Sequence, residues 1–244
     1  MQRYFVDVFD NEQVTITGED AKHITKVMRM QMDDELIVVH SNVADICKII
    51  ALPELDVVVE KTGRQIPSPE LPIQVTIACG LPKGDKLDLI VQKSTELGMH
   101  RLIPFEAARS IVKWDHKKGE KKQQRLQKIA KEAAEQSHRT VIPTIEAPVS
   151  FKQLLQMATD YDAVFIADEE DAKSTERTRL VDRLKAAKDC KNMLVVFGPE
   201  GGIDRDESQA LLTNGAKTVA LGPRILRAET APFYFLSAVS YEFE

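Results

Sequence analysis

Val195-Val196-Phe197-Gly198-Pro199-Glu200-Gly201-Gly202 and Leu221-Gly222-Pro223-Arg224-Ile225-Leu226-Arg227-Ala228-Glu229-Thr230-Ala231-Pro232 follow one plan. Each is a short apolar run, then a turn of Gly and Pro, then a helix-like segment. Such strand-loop-helix units build parallel α/β sheets, whose ligands bind beyond the carboxyl ends of the strands. Glycine amides before a helix can cradle an anion. The spacing here fits neither the P-loop nor the dinucleotide fingerprint, however, and Glu200 would repel a phosphate. A cationic, amino-bearing or neutral ligand suits the first loop better. The second loop carries two Arg and two large apolar residues, which is not the usual hydrophilic connection. Ile225 and Leu226 could cover a flat ring while Arg224 and Arg227 reach a polyanion. Alternatively they plug the core and the arginines are solvated.

The same alternation extends upstream. Strands are expected at 73–79, 101–105, 163–167, 193–197 and 218–221. Helices are expected at 86–97, 117–137, 176–187, 204–213 and 232–241, with Gly98 ending the first of them. Strands alternating with helices predict a mostly parallel sheet covered on both faces. The long helix keeps Leu126, Ile129, Ala130 and Ala133 at helical spacing. The terminal helix, with Phe233, Phe235, Leu236, Val239, Tyr241 and Phe243, is apolar enough for an interface or for the core.

Residues 1–70 read differently. Strands are expected at 3–8, 35–40, 45–52 and 57–62, with one helix at 20–30. That helix places Ile24, Val27 and Met28 on one face and His23, Lys26 and Arg29 on another. The pattern predicts a small β-barrel domain, 1–70, carrying a basic helix. Ile66-Pro67-Ser68-Pro69-Glu70-Leu71-Pro72, with three prolines, is the natural linker to a second domain, 73–244.

The chain of 244 residues carries a formal charge of −5. Between Arg109 and Arg139, ten Lys and Arg face four acids, a local +6, so the remainder carries −11. Such asymmetry points to a polyanion-binding face or to a solvated lysine-rich helix. No apolar run is long enough to cross a bilayer, and the first residues lack a signal-peptide core. Cys47, Cys79 and Cys190 form no CxxC pair, as expected of buried thiols in a reducing cytoplasm. No Cys/His cluster predicts a metal.

The two loops together resemble the SPOUT class of S-adenosylmethionine-dependent RNA methyltransferases. Within it the chain resembles the RsmE-type enzymes, which methylate N3 of a uridine in small-subunit (16S) ribosomal RNA. The likeness extends to Arg3-Tyr4-Phe5, to 23–29 (HITKVMR), to 92–98 (QKSTELG), to Arg109-Ser110 and to 132–139 (EAAEQSHR). It implies a PUA-like β-barrel for RNA binding and a SPOUT α/β domain with a deep trefoil knot. It also implies a homodimer in the cytoplasm, acting on 16S rRNA or the small ribosomal subunit, without membrane association. S-adenosyl-L-methionine would lie against three loops. Their residues are Ala167, with Asp168 and Glu169; Gly198, Pro199, Glu200, Gly201 and Gly202; and Leu221, Gly222, Ile225, Leu226 and Arg227. A sulfonium cation would explain why the first loop holds an acid. Arg227, Glu229 and Glu200 are the catalytic candidates, with Glu229 alternatively orienting Arg227. Lys26, Arg29, Arg109, Gln136 and Arg139 are the RNA-binding candidates. Two other readings stay open at this level. One is a SPOUT enzyme acting on another base or on a ribose 2′-hydroxyl; the other is a non-catalytic RNA-binding assembly factor.

Overall fold

The computed structural model describes residues 1–9, 11–167 and 179–244. It divides into two compact units, one of Met1–Glu70 with Ala134–Val141, the other of Leu71–Ala133 with Ile142–Glu244.

The first unit is built on a five-stranded sheet. Its strands are β1 (Arg3–Phe5), β2 (Gln13–Ile16), β3 (Glu35–His40), β4 (Val43–Ala51) and β5 (Val57–Ile66), in the order β1-β3-β4-β5-β2. Ser41 and Asn42, with φ of 46° and 64°, make the tight β3–β4 hairpin turn; two successive positive φ values match the right-handed twist of the strands. Register shifts at Ile46/Cys47 and Ile49/Ala51 bend β4 against β5, as bulges do. The result is a curled half-barrel rather than a closed barrel: β1 and β2 are its edges. One face buries Ile24, Leu36, Cys47, Ile49 and Val59 completely.

The expected helix at 20–30 takes another form. It begins as α1 (Gly18–Lys22) and continues as a π-turn over His23–Val27, closed by the Met28 N–H on the His23 carbonyl at 2.9 Å. A π-turn, with its i→i+5 bonds, breaks the 3.6-residue phase on which the apolar face was predicted. Ile24 is therefore buried, but Val27 and Met28 are 66% and 39% exposed. Lys26 and Arg29 are exposed, the latter at φ 53°.

A second correction concerns Arg139. It is buried, 4% exposed, and its guanidinium pairs with Glu70, with Nε 3.0 Å from Oε2. The other Glu70 oxygen accepts from the N–H groups of Thr140 and Val141 at 2.8 and 3.1 Å. Arg3, also buried, donates to the carbonyls of His138 and Arg139. Arg139 thus folds the segment 134–141 onto this unit and offers nothing to a surface ligand, contrary to its assignment as an RNA contact. Gln136 is exposed.

The second unit holds a parallel sheet whose main path runs β12-β10-β11-β6-β7-β8. Its strands are β6 (Gln74–Gly80), β7 (Arg101–Glu106), β8 (Thr144–Ile145), β9 (Val149–Ser150, paired with β7), β10 (Ala163–Ala167), β11 (Asn192–Phe197) and β12 (Lys217–Val219). Around them lie α2 (Lys86–Glu96), α3 (His116–Gln136), α4 (Phe151–Met157), α5 (Leu180–Ala186), α6 (Arg205–Thr213) and α7 (Thr230–Phe243). The expected start of α5 at 176 lies outside the described residues. Gly98, at φ 91°, ends α2 in a Schellman motif: Met99 N–H bonds Ser94 O at 2.9 Å and Gly98 N–H bonds Thr95 O at 3.1 Å. The central strands are apolar on both faces and fully buried from Met193 to Phe197, as a sheet covered on both sides requires. The apolar stripe of α7 serves this core, with Phe235, Leu236 and Val239 at 0% exposure, while Tyr234 and Tyr241 face outward at 40% and 90%.

Candidate active site

The carboxyl ends of β10, β11 and β12 and the loops after β6 and β7 meet around a cavity of about 870 Å³. Such ends, where strand order reverses, are where α/β sheets bind ligands. The first wall is the loop after β11. Pro199 O accepts from Gly202 N–H at 2.8 Å, closing a turn with Glu200 and Gly201 at its tip. A Cβ on Gly198 would lie 2.4 Å from the Gly202 carbonyl carbon, and Gly202 sits at φ 72°. Only glycine allows this turn to fold back on itself.

The second wall is the loop after β12. Leu221, Ile225 and Leu226 all line the cavity; Leu221 is buried and Leu226 also packs on the core, whereas Ile225 is 64% exposed. Gly222 turns the chain at φ 84° close to Tyr234. The Arg227 carbonyl accepts from Thr230 and Ala231 N–H at 2.9 and 3.1 Å, starting α7. The Arg224 and Arg227 side chains are exposed and pair with no carboxylate among the described residues. Of the third loop, Ala167 lines the cavity; Asp168 and Glu169 lie outside the described residues.

Lys86, which sequence reasoning missed, joins the two acids. Its Nζ lies 2.8 Å from Glu200 Oε1 and 3.5 Å from Glu229 Oε2. The Lys83 N–H also donates to Glu200 Oε1 at 3.1 Å. Burial raises the Glu200 pKa, but the Lys86 ammonium and the backbone N–H groups outweigh it and hold the carboxyl below its usual range. The Lys86 ammonium is held above its usual range, chiefly by its hydrogen bond to Glu200. Among the described residues the ionic partner of Glu229 is Lys86, and its buried Oε2 has no hydrogen-bond partner there. One available signal was that Lys86 opens the helix after β6, and βα loops at this edge build such sites.

Arg109 also lines the cavity, but as a brace. Its Nη1 donates to Gly201 O at 3.0 Å and its Nε lies 3.4 Å from Asp204. Glu207, missed as well, caps α6 through Asp204 and accepts from Ala108 N–H at 2.8 Å, so it ties the Arg109 loop to the glycine loop. Lys26, Arg29, Gln136 and Arg139 belong to the first unit.

The chain matches known proteins over its length. A family profile described as an RNA methyltransferase domain matches residues 69–240, and one described as an RNA methyltransferase PUA domain matches 16–61. The ribosomal RNA small subunit methyltransferase E of Bacillus subtilis is 45% identical over 253 positions, covering 100% of this chain and 98% of that protein. A crystal structure of a hypothetical protein superposes with a TM-score of 0.91 at 43% identity, covering 100% and 99% of the two chains. A Legionella pneumophila methyltransferase, solved with S-adenosylmethionine bound, gives 0.84 at 25% identity, covering 98% and 96%.

Proposed function

This chain belongs to the RNA methyltransferase family, and on that premise we propose that it transfers a methyl group from S-adenosyl-L-methionine to N3 of a uridine in small-subunit (16S) ribosomal RNA. The observation that carries this reading is the cavity between the two glycine loops. At one end of it Lys86 stands between two carboxylates, Glu200 and Glu229, an acidic corner that suits a sulfonium, while Arg109, Arg205, Arg224 and Arg227 line the rest and suit an anionic substrate. The cavity is of a size to hold a nucleoside ligand. Ala167, Gly198–Gly202 and Leu221–Arg227 would hold the cofactor, with backbone groups reading its polar edges and Ile225 covering its base.

When bound, the cofactor supplies an electrophilic methyl group on a good leaving group. The chain's residues must then align uracil N3 and remove its proton. Glu229, beside the cavity with its Oε2 3.5 Å from Lys86 Nζ, is assigned as the proton acceptor. Glu200 already accepts from Lys86 and Lys83 and is held ionised, which makes it a weak base and a clamp between loops. Arg227, exposed and paired with no carboxylate among the described residues, stabilises the negative charge that develops on the imide. Lys26 and Arg29 of the PUA-like domain, residues 1–70, hold RNA together with Gln136 of the segment 134–141 that belongs to the same compact unit, while 73–244 carries the chemistry in a SPOUT domain with a deep trefoil knot. A cytoplasmic homodimer completes the reading, with Tyr234 and Tyr241 of α7 left exposed for a second copy.

Calorimetry with S-adenosylmethionine tests the reading. Saturable binding, lost when Ile225 and Leu226 are both replaced by Asp, supports it; no binding by the wild-type protein overturns it and leaves a non-catalytic RNA-binding role.

A further inference from the structure

The basic stretch after the cavity divides into committed and uncommitted cations. Towards the carboxyl end, Arg125 pairs with Asp88 and Lys122 lies 4.0 Å from Asp85. Lys113, Lys117, Lys118 and Lys121 are exposed and pair with no carboxylate among the described residues. They follow Arg109 in the cavity wall along the irregular segment 110–115 and onto the first turns of α3.

Their placement conflicts with the helix they sit on. The first turn of α3 holds no acid and carries Lys117 and Lys118, with Lys121 in the next turn, and the carboxylate at this end is Asp115, whose Oδ1 accepts from Lys118 N–H at 2.8 Å. Cations there destabilise a helix by a few tenths of a kcal/mol each. A run of exposed lysines that pair with no carboxylate among the described residues and continue from the cavity wall suits a polyanion.

We propose that the run Lys113–Lys117–Lys118–Lys121 is the track along which the RNA phosphodiester backbone leads to the cavity at Arg109. The inference rests on the RNA substrate proposed above. It adds the surface: unpaired lysines neutralise phosphates flanking the target, while Arg109, committed to Gly201, holds the loop. Phosphate contacts position the strand and read no sequence.

The test compares two triple variants of the full chain. Lys117→Ala/Lys118→Ala/Lys121→Ala removes the track. Lys152→Ala/Lys185→Ala/Lys188→Ala removes the same charge from exposed lysines elsewhere. Purified small-subunit ribosomal RNA is the probe, titrated across KCl concentrations. The track variant is expected to bind at least about tenfold more weakly at 0.1 M salt, and its log–log salt slope to fall by about 2, at roughly 0.7 per lost phosphate contact. Its KM for RNA rises, while kcat at saturation and S-adenosylmethionine affinity stay at wild-type values, which also shows that it folds. The control variant behaves as wild type. A track variant with unchanged affinity and slope overturns the proposal, and so does a control that weakens binding equally. If the wild-type protein binds no RNA, the proposed function falls and the track with it; failure of the track variant alone leaves that function standing.

Discussion

Lys86 and Glu200 lie 114 residues apart in sequence, yet Lys86 Nζ stands 2.8 Å from Glu200 Oε1 and ties the loop after β6 to the loop after β11. The same ammonium reaches Glu229 of the loop after β12. One cation thus sets the spacing of two acids, Glu200 in the cavity wall and Glu229 behind it.

Replacing it isolates that function. Lys86→Gln is expected to lower turnover roughly 10- to 100-fold, as small misplacements at a reacting centre do. Stability should change little, because partly exposed ion pairs contribute only about 0–1 kcal/mol. Single-turnover rates and thermal melts check this together. A variant with wild-type turnover would remove Lys86 from the account.

The clamp also has a pH window. Glu200 is held below its ordinary value of 4.5, so the contribution of the pair is present above that value and lost as pH falls through the lower, folded one. Lys86 is held above 10.5, so the contribution is present below that value and lost only as pH rises through the higher, folded one. The ratio of wild-type to Lys86→Gln affinity for S-adenosylmethionine should therefore stay flat between these limits. A midpoint near neutrality in that ratio would contradict the assignment.

Arg227 gives a cleaner test of chemistry. Its carbonyl starts α7, and its exposed guanidinium is committed to no carboxylate among the described residues. Arg227→Ala should cost about 100-fold or more in kcat, the scale of losing one stabiliser of developing charge. S-adenosylmethionine affinity should move far less. Full turnover with normal cofactor binding ends its catalytic role.

Glu70 and Arg139 make a structural prediction. Removing one partner of a buried pair leaves an unpaired charge, so Arg139→Met should destabilise the first unit by about 3–5 kcal/mol. Chemical denaturation measures it, and Glu70→Gln added to Arg139→Met should restore part of the loss. If Arg139→Met instead keeps full stability and loses only RNA affinity, Arg139 is a surface contact after all.

What the sequence revealed follows from the range of each signal. The loops at Gly198 and Leu221 were legible because Gly and Pro after an apolar run act locally, through backbone conformation. Helix α4 went unread, although Ser150 and Gln153 form its capping box, because seven residues give too little periodicity. Val27 and Met28 were misplaced because the π-turn at His23 changes the winding. Lys86, Glu207 and the Glu70–Arg139 pair were invisible for a common reason. Each depends on partners from about 70 to over 110 residues away, and no local pattern marks which lysine, glutamate or arginine will find one.

The most direct test is nucleoside mass spectrometry of small-subunit ribosomal RNA from cells lacking this protein, incubated with the purified chain and methyl-labelled S-adenosylmethionine. Labelled 3-methyluridine is the predicted product, absent with the Arg227→Ala variant. Label in a 2′-O-methyl nucleoside or another base, or no transfer, contradicts the account.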